Sequence, residues 1–429
     1  MADIQNPLVQ DNWDNLSSFL ENINCLYDTF EYSETMLKNQ RLEALKELNA
    51  FLKPYAKKEG SSKPDIPRSE DRTLLHLERK LQRTQESSKL LMRSYVVSMV
   101  SQFDAFIANL LRNIYDINPE KLMQSDHKMT YAELQSFPSI EAAKEHIIDT
   151  KIENILRDSH QEQFKELAST IGVSTLKDFP NWPVFVEITQ RRNLFVHSNG
   201  IVSNQYLSIC QKEGVELGDL KKGDQLEVDR SYFDKAFNVF YEVAIKLSQV
   251  ALRKLLYKKD EGCLADIDYC MIKCIYDLIY EKRYDVAIIL SDFALEKSFK
   301  HSGKDRIFMV LNLAQAYKWK GDDAKCQSIL SAEDTSAWSS ELKCPKYALE
   351  GNINKVCETM ASSGKNSEIL TSEAYRTWPI FSGVRNEERF KDTFKDIFGE
   401  ELESESPKTD LIVATEPADV DEIKVNCQF

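Results

Sequence analysis

Glycine and proline are scarce in this chain, 13 and 12 of 429 residues. With Leu, Lys, Glu and Ala abundant, that scarcity points away from loop-rich architecture and toward helices. Nine cysteines are scattered without a Cys-x-x-Cys pair, and no His stands at metal-ligand spacing beside Cys270 and Cys274. Those two lie at i, i+4 in an apolar stretch and read as small buried thiols. No Gly-rich phosphate loop and no Ser nucleophile elbow is present. The start, Met1-Ala2-Asp3-Ile4-Gln5, lacks the basic and apolar regions of a signal peptide. No apolar run reads as a membrane span; even Val96–Leu111 is broken by Ser98, Ser101, Gln102 and Asp104. The expectation is a soluble cytoplasmic protein with reduced thiols, no metal and no cofactor.

Basic surface is short overall as well. The formal charge of −14 argues against a general nucleic-acid coat. Much of that charge is local, because residues 400–429 carry nine acids against Lys408 and Lys424. The body is only mildly acidic, which leaves room for a basic cleft.

What is present is hydrophobic periodicity. The length calls for more than one domain. Leu16, Phe19, Leu20, Ile23, Leu26, Tyr27 and Phe30 recur at helical steps, and a second run covers Leu42, Leu45, Leu48 and Leu52. Lys57–Ser69 reads as a polar loop. From Glu70 to Tyr115 runs a long helix, basic in its first half and apolar in its second. Further helices are predicted at Ser139–Arg157 and Gln161–Ile171. Another opens with Asn181 as cap and Pro183 in its first turn, and stops at Asn199-Gly200. Ile201–Ile209 and Gln225–Val228 read as short extended segments, and Asp229 caps a strong helix. Beyond Asp266 the pattern becomes paired helices. Leu313-Ala314-Gln315-Ala316-Tyr317-Lys318-Trp319-Lys320-Gly321-Asp322-Asp323-Ala324 resembles the turn region of a tetratricopeptide repeat, with weaker echoes at Ile279–Ala287 and Ala348–Val356. The expected fold class is all-α, in four parts. Residues 1–69 form an N-terminal helical extension and linker, 70–258 a helical bundle, 259–399 tetratricopeptide-like α-hairpin repeats, and 400–429 an acidic disordered tail.

The segment Arg191-Arg192-Asn193-Leu194-Phe195-Val196-His197-Ser198-Asn199-Gly200 carries the chemistry. A guanidinium can hold phosphate oxygens with two donors, and an imidazole moves protons near neutral pH. At about 100° per residue Asn193 and His197 share a helix face. Arg192 lies roughly 140° from His197, but its long stem can return its head to a common cleft. Composition alone gives roughly one such Arg–His pair by chance, so the surrounding sequence matters.

Arg192-Asn193-x3-His197 resembles the signature of the HEPN superfamily, an Arg, a polar residue, a short spacer and a His on a late helix of an all-α bundle. Ser98–Ile107 is similar to the long early helix of such domains, and His197–Val202 leading to Tyr206-Leu207 is similar to some members. The resemblance covers about residues 70–258. Members paired with nucleotidyltransferase antitoxins carry Tyr two residues after the His, where this chain has Asn199.

The resemblance implies a metal-independent endoribonuclease of toxin or anti-phage defence type, acting on RNA as a homodimer whose two motifs line one cleft. His197 would be the general acid or base, Arg192 would stabilise the transition state, and Asn193 would orient the phosphate or the imidazole. Arg191 also satisfies the spacing and is a supporting candidate. Asp104 is another, able to hydrogen-bond into the site, although a solvent-facing or capping role is the plainer reading. Arg79 and Arg83, on one face of the basic run, can track an RNA backbone; a solvated face is the alternative. The repeats would bind a protein regulator. The competing reading is a non-catalytic scaffold or RNA-binding interaction protein built from the same parts.

Overall fold

Short polar side chains open many of the helices by accepting backbone N–H groups in the first turn. Asn6 accepts from Leu8 and Val9 at 3.0 and 3.3 Å, Ser203 from Tyr206 at 3.1 Å, and Asp229 from Tyr232 at 2.7 Å. The computed structural model describes residues 4–55, 66–123 and 129–402. Among these the protein is all-α, without a strand.

In chain order the helices are α1 (Pro7–Leu52), α2 (Asp71–Ile117), α3 (Glu120–Met123), α4 (Tyr131–Gln135), α5 (Ile140–Arg157), α6 (His160–Ile171), α7 (Trp182–Ser198), α8 (Asn204–Lys212) and α9 (Arg230–Ala251). There follow α10 (Leu264–Tyr280), α11 (Tyr284–Ala294), α12 (Gly303–Trp319), α13 (Asp323–Ala332), α14 (Ser340–Leu349), α15 (Ile353–Ser363), α16 (Ser372–Thr377) and α17 (Glu388–Phe398). They sort into two compact units, residues through Leu278 with Asp285–Met309, and Ile279–Tyr284 with the chain from Val310 on.

In the first unit α1 and α2 form an antiparallel pair, each about 70 Å long at 1.5 Å per residue. Lys80 meets Glu47 at 2.6 Å, Ser33 meets Tyr95 at 3.0 Å, Asn22 meets Gln102 at 3.1 Å, and Asn15 reaches the Phe106 carbonyl at 3.2 Å. The two periodic runs of the N-terminus therefore lie on one helix. Glu31–Gln40 contains no helix breaker, and Leu37 within it is buried.

The apolar half of α2 is the centre of this unit. By length and composition α2 is apolar enough to cross a membrane, and half of its apolar window is buried inside the protein. Phe103 packs against Phe19, Phe106, Phe185 and Phe240 at ring-centroid distances of 5.9, 5.8, 5.3 and 5.1 Å. Each such ring contributes roughly 1.5–3 kcal/mol by leaving water. Cys270 and Cys274 are buried thiols, and burial pushes the Cys270 thiol up.

Two local expectations are corrected. Asn181 stands at the N-cap of α7 as expected, but its side chain makes no capping hydrogen bond; its amide instead donates to Glu242 of α9 at 2.6 Å. Residues 201–209 and 225–228 are not strands. One antiparallel bridge, Ile201 with Gln225, is formed there, and α8 occupies most of the first segment. Val202, Tyr206, Cys210 and Leu226 bury themselves against Leu194 of α7, so this excursion folds back as a small core of its own.

In the second unit the hairpin turns fall where the repeat-like pattern placed them. Gly321 takes φ +95° between α12 and α13, and Gly351 takes φ +72° between α14 and α15. Asp322 and Asn352 then cap the helices that follow, accepting from Lys325 at 2.9 Å and Lys355 at 3.2 Å. The expected loop at 57–69 falls largely, and the acidic tail at 400–429 almost entirely, outside the described residues.

Candidate functional site

α7 ends because Asn199 adopts a left-handed conformation, φ 47°, followed by Gly200 at φ 80°. Asn tolerates that region better than a bulky side chain does. Arg93 of α2 closes the helix end, donating to the Asn199 carbonyl and amide oxygens at 3.3 and 3.0 Å. A Cβ on Gly200 would stand 2.7 Å from Gln225 Nε2 and 3.1 Å from the Leu226 carbonyl. Gly200→Ala is therefore expected to cost about 2 kcal/mol, from the left-handed backbone plus the close contact. Urea denaturation measures it, and a loss below about 0.5 kcal/mol would contradict this account of the turn.

This stop fixes His197 in the last turn of α7, exposed at the mouth of a polar cavity of about 540 Å³. Arg192 and Asn193 line the same cavity, as do Asp104 from α2 and His160 from α6. Arg192 Nη2 donates to Asp104 Oδ2 at 2.9 Å, and its Nη1 to Asn193 Oδ1 at 3.1 Å. Asp104 Oδ1 lies 2.8 Å from His160 Nε2. An ionised carboxylate only accepts, so His160 carries its proton on Nε2. Asp104 thus holds two helices at once, orienting the Arg192 fork from α7 and the imidazole from α6.

Exposure separates the roles. The His160 side chain is 6% exposed, Arg192 24% and Asp104 27%. His160 is a buried support, whereas the Arg192 head and the His197 ring are reachable from the cavity. Arg192 Nε is buried and has no hydrogen-bond partner among the described residues. Gln163 ties the turn before α6, donating to the Leu156 and Asp158 carbonyls at 3.4 and 3.1 Å, and so fixes the opposite wall.

Asp104, Arg192, Asn193 and His197, which the sequence singled out, are brought together. Arg191 is not. It points away from them, with Nε 2.6 Å from Glu187 Oε1, Nη1 donating to the Glu227 carbonyl at 2.9 Å, and the guanidinium stacked 4.0 Å from the Tyr232 ring centroid. Burial opposes its charge, yet Tyr232 and Glu187 more than offset this and raise its pKa. Tyr206 and Tyr232 also donate to Glu187, at 2.6 and 2.8 Å. Arg191 is therefore a structural clamp between α7 and α9. Arg79 and Arg83 are exposed on α2 and do not line the cavity.

His160 is the residue that sequence reasoning missed. Its one local signal is its place directly after the capping Ser159, which accepts from Glu162 at 3.4 Å. Among the described residues no group of three His, Cys, Asp or Glu could hold a metal ion. The cavity offers a guanidinium, an amide and an exposed imidazole, a set suited to binding a phosphodiester and moving a proton beside it. No family model, no curated protein and no solved structure matches this chain.

Proposed function

We propose that the protein is a metal-independent endoribonuclease of HEPN type. The observation that carries this reading is the convergence of Arg192, Asn193 and His197 on one polar cavity, with Asp104 and His160 holding Arg192 in place. In the proposed reaction an imidazole removes the ribose 2′-hydroxyl proton as O2′ attacks phosphorus. The bond from phosphorus to the 5′ oxygen breaks, and that oxygen takes a proton from an imidazolium. The products are a 2′,3′-cyclic phosphate and a 5′-hydroxyl. Arg192 stabilises charge on the non-bridging oxygens, where donors aimed at developing charge contribute most. Asn193 orients the phosphate or the imidazole.

The scheme needs one base and one acid, whereas each chain brings one exposed imidazole to this cavity. A homodimer that faces two His197 rings across one cleft supplies both. We further place the enzyme in the cytoplasm, as a toxin or anti-phage effector whose C-terminal helical pairs receive a protein regulator.

One observation favours the second reading, a scaffold that binds RNA without cutting it: the Arg192 charge is already paired with Asp104. The test is incubation of the purified full chain with mixed RNAs in EDTA, followed by end-group analysis. Cyclic-phosphate ends that disappear in Arg192→Ala support the enzyme. RNA that is retained in a gel-shift assay but never cut, with or without divalent ions, supports the scaffold.

A further inference from the structure

A second cavity in the first unit, about 660 Å³, lies apart from the Arg192–His197 cavity and shares no lining residue with it. Its floor is built where α9 ends in a π-helical turn, Leu252–Leu256, closed by Tyr257 N–H donating to the Leu252 carbonyl at 3.0 Å. Such wide turns are uncommon and concentrate at functional sites, because the extra residue per turn re-aims the side chains that follow. Here it sends Arg253 inward, 7% exposed, and leaves Lys254 and Lys258 outward at the cavity rim.

The opposite wall is pinned to that floor. Arg253 donates to Gln249 Oε1 at 3.1 Å, to the Lys300 carbonyl at 2.9 Å, and to Asp268. Asp268, fully buried, also accepts from the Ser302 N–H at 3.1 Å and lies 2.9 Å from His301 Nδ1. The segment carrying Phe299 and Lys300 is thus held by a buried charge network rather than left as a free loop. That is the preorganisation a binding wall requires.

Its chemistry is two-sided. Half-buried rings of Phe179, Phe293, Phe299 and Tyr257 face the cavity, and Lys246 stands 5.6 and 5.3 Å from the first two ring centroids. At the rim Lys254, Lys258 and Lys300 are exposed, and their ammonium groups have no hydrogen-bond or ion-pair partner among the described residues. Asp178 and Glu296 are the acids there, so the mouth is cationic in a chain of net charge −14. Packing alone explains neither an unfilled space among aromatic rings nor lysines gathered around it.

We propose that this cavity binds a nucleotide, its base against the aromatic wall and its phosphates on Lys254, Lys258 and Lys300. Aromatic faces stack on any planar base, and ammonium groups hold phosphate as point charges. The proposal is independent of RNA cleavage, since its readout is binding.

The full chain would be titrated calorimetrically with ATP, GTP, adenosine and inorganic tripolyphosphate, up to about 1 mM each, and thermal midpoints followed in parallel. ATP or GTP is expected to bind and raise the midpoint, with adenosine and tripolyphosphate each at least about tenfold weaker. Lys254→Glu combined with Lys258→Glu is expected to weaken binding at least about tenfold, and Lys300→Glu separately in the same direction. These lysines are exposed, so an unchanged circular dichroism spectrum is expected for all variants. No binding by either nucleotide overturns the proposal. So does tripolyphosphate binding as tightly as ATP, or affinity unchanged in both lysine variants.

Discussion

Replacing His197 with alanine is expected to slow RNA cleavage by about 10²–10⁴-fold, the usual contribution of a positioned acid or base. The thermal midpoint should stay where it is. The ring is exposed in the last turn of α7, and no side-chain hydrogen bond holds it among the described residues. Truncation therefore removes a reactive group without opening a cavity. Arg192→Ala is expected to act on rate and stability together, since it strips Asp104 of its ion pair and Asn193 of its donor. Asp104→Asn keeps the shape of the site and removes the charge that orients both Arg192 and His160. As a positioning change it should lower the maximal rate more than it weakens RNA binding. Single-turnover kinetics on a defined RNA separates these cases. Full cleavage by His197→Ala would move the chemistry to another part of the molecule.

The largest loss of stability is expected from Asp268→Ala. Its carboxylate is fully buried between the Arg253 guanidinium and the His301 ring, whose side chains are 6% and 5% exposed. Removing the acid leaves Arg253 in low dielectric without its counter-charge and takes the acceptor from Ser302 N–H. Breaking a buried pair from one side costs about 3–5 kcal/mol. At roughly 2–4 °C per kcal/mol for a unit of this size, the midpoint falls by about 10 °C. Replacing Arg253 and Asp268 together by apolar residues should cost less than Asp268→Ala alone, because no unpaired charge remains. Calorimetric scans of the three proteins decide this. A loss under about 1 kcal/mol for Asp268→Ala would mean that water reaches Arg253 and replaces the carboxylate.

Local signals were read well from the sequence and distant pairings were not. Asn199-Gly200 announces a helix stop because the left-handed conformation is a property of those two residues alone. Arg192, Asn193 and His197 could be assigned to one cleft because helix geometry and side-chain length suffice over six residues. Asp104 was in view only as an isolated carboxylate in an apolar helix. Nothing local told that its two oxygens serve α6 and α7 at once. His160 was overlooked for the same reason, as its partner lies 56 positions earlier in the chain. Asn181 was placed correctly at the start of α7, but nothing local told that its amide would satisfy Glu242, 61 positions later, rather than close the helix end. The segments at 201–209 and 225–228 misled differently. Gly214, Gly218 and Gly223, which separate them, each adopt a positive φ and shape a loop behind α8. Glu31–Gln40 falls between the two periodic runs, and nothing in it prevents a helix from continuing.

The α1–α2 pair also orders events in time. Its contacts lengthen in sequence from 33 positions, at Lys80–Glu47, to 91, at Asn15–Phe106, so closing it from the Lys80 end outward costs the least loop entropy at each step. A chain made from its N-terminus can complete that hairpin first, with Asp104 near the last teeth to engage. The residues that carboxylate will grip come 56 and 88 positions later. The constellation proposed here can therefore be assembled only after that hairpin's sequence is complete, and a nascent chain stopped before α7 carries the socket without the plug.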